Sequence, residues 1–193
     1  MFLSNHINNQ ENFMINNPCL DLQPVNREGD TYKNLELDMQ EQSQTQWCWA
    51  ACGASIGDYY HGQGTYSQCG VANLVQAKTT CCENPSGCNQ PAKLDDALKA
   101  ADSYQSMVSN SVSFDVLVAQ IDANKPVGTR VGWYGGGGHF MAISGYNSKQ
   151  PKKITIKDPW YGQSVMDYDK YPAQYNGGGN WTHTYYTTKE SAS

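Results

Sequence analysis

A chain of 193 residues with a formal charge of −5 and no run of Lys or Arg is poorly matched to nucleic acid or an anionic membrane, and is better suited to a small-molecule, peptide or protein partner. Its length fits one domain, burying roughly 70% of the surface exposed by the unfolded chain. No stretch comes near the roughly 18 consecutive apolar residues that a membrane-spanning helix requires.

Residues 1–35 are rich in Asn, Gln and Asp and have neither helical nor strand periodicity. They are expected to form a flexible arm or pro-segment ahead of a domain spanning 36–193. Residues 1–17 have neither the basic n-region nor the apolar h-region of a secretory signal. Ordered structure is expected to begin just before Cys48, where Thr45 or Ser43 would cap a helix carrying Cys48, Cys52 and Ile56 at steps of four. Cys48 then occupies the first turn, and Gly62 and Gly64 end the helix. Residues 63–90 hold Gly, Ser, Asn, Pro and four cysteines around a short helix near 71–78, and read as a crosslinked surface excursion. A helix opening at Pro91 behind an Asn89 cap places Leu94, Ala97, Leu98 and Ala101 on one face. Another runs from a Ser113 cap through Phe114, Leu117 and Ile121 to a stop at Asn124-Lys125-Pro126, with Asp115 in its first turn. Beyond Pro126, residues 127–133, 139–146, 153–158 and 181–187 are rich in β-branched and aromatic side chains and read as strands. Helices first and strands second predict an α+β fold.

The cysteines are Cys19, Cys48, Cys52, Cys69, Cys81, Cys82 and Cys88. Seven are many for a reduced cytosol, which favours a protein secreted or delivered outside the producing cell. With one free nucleophile, six would remain to pair, in any of fifteen ways. The adjacent Cys81-Cys82 does not match the Cys-x2-Cys knuckle of a tetrahedral zinc site, and no metal or other cofactor is expected.

A cysteine attacks carbonyl carbon as the thiolate and needs a setting that stabilises it, such as a helix N-terminus beside a histidinium. Cys48 has the first of these. His139 follows four glycines, Gly135 to Gly138, which leave backbone open to an extended substrate and put the histidine at the start of a strand. Asp158 ends the next strand, so antiparallel pairing would bring it beside His139 to hold the imidazole tautomer. Taken singly, Cys48 reads more readily as a buried or bridged cysteine, His139 as a turn histidine and Asp158 as an Asx-Pro turn residue. Their combination reverses that reading. Cys52 is better read as a disulfide partner or small core residue than as a resolving thiol, and His61 and His183 as surface or strand residues.

Residues 42–50, with Gln42 six positions before Cys48 and Trp47 and Trp49 flanking it, resemble the active-site stretch of papain-like cysteine peptidases. His139 at the head of an apolar strand ending Ser144-Gly145-Tyr146, the Asp158-Pro159-Trp160 run and the closing 181–185 segment continue the resemblance over about 42–187. The compact spacing resembles bacterial members such as staphopains and plant-pathogen effector proteases. Thr45 stands where the plant enzymes have a cysteine, and Asp158 where they have asparagine. The resemblance implies a papain-like fold, with an N-terminal helical lobe and a C-terminal antiparallel sheet or half-barrel. It also implies Cys48, His139 and Asp158 as a catalytic triad, Gln42 in the oxyanion hole, and Trp160 shielding the His139–Asp158 bond. Trp47 is open to two roles, filling the core or walling a substrate cleft with Gly137 and Gly138. The implied activity is that of a monomeric endopeptidase cleaving protein or peptide substrates through a thioester. The alternatives are an acyltransferase or transglutaminase-like enzyme, and a non-catalytic binding module, whose mark would be a missing triad member; none is missing.

Overall fold

The computed structural model describes residue 29 and residues 31–189. Cys19 and most of the expected arm lie outside them. Four α-helices and a seven-stranded antiparallel sheet make up the α+β architecture. In chain order these are β1 Tyr32–Asn34, α1 Cys48–His61, α2 Gln68–Gln76, α3 Leu94–Ala100, β2 Tyr104–Val108, α4 Phe114–Asp122, β3 Val127–Trp133, β4 Gly138–Asn147, β5 Lys153–Asp158, β6 Gly162–Asp167 and β7 Gly179–Thr187.

The helices cluster first because α1 is built to be buried. Eleven of its residues, from Cys48 to Asp58, are buried, a pattern that requires packing on all sides. Its small residues make this possible: a Cβ on Gly53 would lie 2.7 Å from the Ala97 Cβ of α3. Leu94, Ala97, Leu98 and Ala101 present the predicted face and are completely buried. The helix itself begins at Leu94 with Lys93 as its cap residue, not at Pro91 behind Asn89. Thr45 and Ser43 do not cap α1 either; Trp47 holds that position without a side-chain bond. Ser113 does cap α4, accepting from the Val116 N–H. The cysteine-rich excursion contains α2, which spans 68–76 where 71–78 was expected, and two disulfides, Cys69–Cys82 and Cys81–Cys88.

The sheet runs β2-β7-β3-β4-β5-β6, with β1 pairing β4. β1 places Tyr32–Asn34 inside the domain, although they belong to the stretch expected to be an arm. Alternation sends Phe140 and Ala142 of β4 toward the helical core around α1, while Met141 and Ile143 face a second core with α4, Ile154 and Ile156. The active-site candidates lie where α1 meets the start of β4.

Candidate active site

Cys48 is the first residue of α1, so its N–H makes no intrahelical bond and the positive end of the helix dipole is directed at the sulfur. No acidic residue in the first turn opposes that field. Cys48 is a free thiol on the edge of burial, 9% exposed.

His139 is the second residue of β4, at the end of a hairpin in which Gly132 pairs with Gly138. Gly136 and Gly137 have φ of 94° and 80°, values that residues with a Cβ rarely adopt. β4 and β5 are antiparallel neighbours, and the Nε2–H of His139 donates to Asp158 Oδ1 at 2.8 Å. Cys48 is close enough to the ring to raise its pKa, and with Nε2 bound to Asp158 the free ring nitrogen is Nδ1. The same Oδ1 accepts the Trp160 and Tyr161 N–H groups at 2.7 and 3.0 Å, and Oδ2 accepts the Tyr175 hydroxyl at 2.9 Å. Burial opposes charge on His139, but the Asp158 bond and the nearness of Asp158 and Cys48 outweigh it, and its pKa is held up to about 9. Burial likewise disfavours the Asp158 carboxylate, yet the His139 and backbone bonds keep its pKa below the usual value. The result is an imidazolium held by the Asp158 carboxylate next to the sulfur of Cys48.

Gln42 is tied to the end of β5, where its N–H donates to the Pro159 carbonyl at 2.8 Å, next in sequence to Asp158. Its Nε2 donates to the Gln44 and Thr45 carbonyls at 2.8 and 3.1 Å, and its Oε1 is buried with no partner among the described residues. As an oxyanion donor it would have to share one of those N–H groups.

Two aromatic assignments are corrected. Trp47 is not a cleft wall: it is 1% exposed in the helical core, with Nε1 donating to the Cys88 carbonyl at 2.8 Å. Trp49 lines the cleft instead. The Trp160 ring is 50% exposed, and its backbone N–H is what supports Asp158. Among the described residues, the ring stacked on His139 is Trp133, at 6.0 Å between centroids, with Tyr161 edge-on at 6.4 Å. Sequence reasoning missed Trp133 and Tyr175. Reading 127–133 and 139–146 as one hairpin would have pointed to Trp133, which flanks the glycine turn; Tyr175 reaches Asp158 only through the folded segment after β6, and no local pattern marks it.

Gly137, Gly138, Cys48, Trp49, Phe140 and Arg130 contribute to a cleft of about 550 Å³ running from the thiol. Cys52, one turn along α1, is a free and completely buried thiol, contrary to the expectation that six cysteines pair. Burial first, then the nearby Cys48 and Asp158 groups, push its pKa up, so it remains an inert core thiol.

Comparison of the sequence with curated proteins finds no match. The structure is similar to the crystal structure of the Pseudomonas avirulence protein AvrPphB, with a TM-score of 0.35 and 9% sequence identity over 77% of this chain and 97% of that one. The family described as papain-like cysteine protease AvrRpt2 matches residues 30–176. With that match spanning β1, the four helices and the strands that carry His139 and Asp158, the chain belongs to the AvrRpt2 family of papain-like cysteine proteases and is a cysteine-type peptidase.

Proposed function

We propose that the protein is an endopeptidase in which Cys48 is the nucleophile, His139 the acid and base, and Asp158 the group that orients His139. The observation that carries this reading is the 2.8 Å bond between His139 and Asp158, with Cys48 at the start of α1 near enough to raise the pKa of the imidazole. The thiolate attacks the scissile carbonyl carbon, forming the C–S bond. The oxyanion is met by the Cys48 N–H and the Gln42 amide. As the C–N bond breaks, His139 gives its proton to the leaving amine. Water, deprotonated by His139, then hydrolyses the thioester, releasing the acid and restoring Cys48. Protein or peptide chains are the substrates, entering over Gly137 and Gly138. Two disulfides at the surface excursion support action outside the producing cell.

The test is labelling with an epoxide-type thiol inhibitor, peptide mapping, and casein cleavage by wild type and Cys48→Ala. Stoichiometric labelling at Cys48 and cleavage lost in the variant are expected. A wild type that neither labels nor cleaves under mild reduction would overturn the reading.

A further inference from the structure

Two cations line the cleft, the exposed Lys93 and, from within the sheet, the half-buried Arg130. Arg130 of β3 pairs with Phe140 of β4 on one side and His183 of β7 on the other, and all three line the same cleft as Cys48. The guanidinium is half-buried and donates from Nη1 to the Thr182 hydroxyl at 3.0 Å. That is one neutral partner for a group with five N–H donors. Among the described residues no carboxylate lies within 4.0 Å of it; Asp95, the one carboxylate lining the cleft, is paired with Lys99 at 3.4 Å. His183 is no anionic partner, and it is kept from becoming a further cation because burial and then Arg130 itself lower its pKa.

Gly138 leaves the room in which the cation lies. A Cβ at that position would be 2.5 Å from Nη2 and 2.8 Å from Cζ, so any larger residue there would displace the guanidinium from its place beside the backbone before His139. The charged fork is thereby held beside the residue that would move the proton, with Phe140 and Trp49 providing apolar neighbours. A cation in such a wall lacks an anionic partner, and its planar fork matches a carboxylate in bidentate geometry.

We infer that Arg130 is a specificity-determining residue that selects an acidic side chain, Asp or Glu, close to the scissile bond of the substrate. This rests on the endopeptidase reading and names the substrate class for the same site. Lysine or arginine at that substrate position is repelled, and leucine gains only the apolar walls.

The experiment uses the full chain and peptidyl acyloxymethyl ketones carrying Glu, Gln, Leu or Lys in turn at each of the three residues preceding the reactive carbon. The readout is the second-order rate of Cys48 alkylation by intact mass. At one of the three positions Glu should exceed Gln by about 10-fold or more at low salt, the usual worth of a charge-assisted pair. High salt should shrink that ratio in wild type. Arg130→Leu should bring Glu and Gln to the same rate, and Arg130→Lys should keep part of the preference. Equal rates for Glu and Gln in wild type at all three positions, or a Glu preference that survives in Arg130→Leu, would overturn the inference while leaving the peptidase reading intact. If Arg130→Leu does not fold, the salt dependence in wild type decides. Failure of every probe to alkylate Cys48 would overturn the peptidase reading and the inference with it.

Discussion

The indole of Trp47 donates to the carbonyl of Cys88 at 2.8 Å, joining the residue before Cys48 to the end of the second disulfide loop. Gln76 donates to the same oxygen at 2.8 Å, the Gln46 N–H donates to Asn89 Oδ1 at 2.9 Å, and Trp49 Nε1 donates to the Gln90 carbonyl at 3.0 Å. Residues 88–90 thus form a splint against the start of α1, and Cys81–Cys88 holds the splint.

Opening that disulfide as Cys81→Ala/Cys88→Ala should lower stability by about 2 kcal/mol, toward the low end for disulfides because the loop is short. It should also slow Cys48 alkylation. Denaturant unfolding and labelling rates measure the two effects. An unchanged labelling rate would reduce the excursion to a stabilising appendage.

The raised pKa of His139 has a definite sign. The folded value of about 9 lies above the ordinary histidine value of 6.5, so the imidazolium contributes stability fully below pH 6.5 and loses it as pH rises through about 9. A shift of this size corresponds to about 3 kcal/mol. Wild type should lose that stability relative to His139→Ala between these limits, and peptide hydrolysis, which needs the protonated ring, should fall over the upper part of the window. Parallel stability curves for the two proteins would count against a charged pair.

Trp133 and Trp160 should behave differently. Removing the ring stacked on His139, in Trp133→Ala, exposes the buried His139–Asp158 bond to water and should lower kcat by about 10-fold, equivalent to about 1.4 kcal/mol. Trp160→Ala keeps the N–H that supports Asp158 and should stay close to wild type. The reverse order would restore the shielding role to Trp160.

Gln42→Ala should lower kcat by about 100-fold if its amide shares a proton with the oxyanion. The two loop bonds to Gln44 and Thr45 would be lost with it, so a small drop in Tm is expected as well. Full kcat with a lowered Tm would assign Gln42 to the loop alone.

The elements legible in the sequence were those whose side chains carry their own pattern. β5 alternates one by one between buried and half-buried residues, and α4 announces its cap at Ser113. β2 and β6 escaped because they form the edges of the sheet. Val165 is 57% exposed, and no core imposes a period on such residues. β1, only three residues long, is a strand because β4 is there to pair with it. The site divides in the same way: Cys48, His139 and Asp158 could be found from helix, glycine turn and strand end, whereas Arg130 looked like one more residue in an apolar strand. Its meaning comes from the side chain reaching the backbone at Gly138, two residues along β4 from its register partner Phe140, which only the folded sheet reveals.

β1 also sets a limit on maturation. Ser144 Oγ donates to Asn34 Oδ1 at 3.1 Å, the Leu35 N–H donates to the Ser144 carbonyl at 2.8 Å, and Lys33 Nζ reaches the Asp122 carbonyl at the end of α4 at 3.0 Å. Behind them Leu35 and Leu37 are buried. A cut after Asn34 would therefore strip a paired strand from β4, while one before Tyr32 would spare all of these bonds. If the protease is shortened to its working form, the sheet itself measures where the shortening stops.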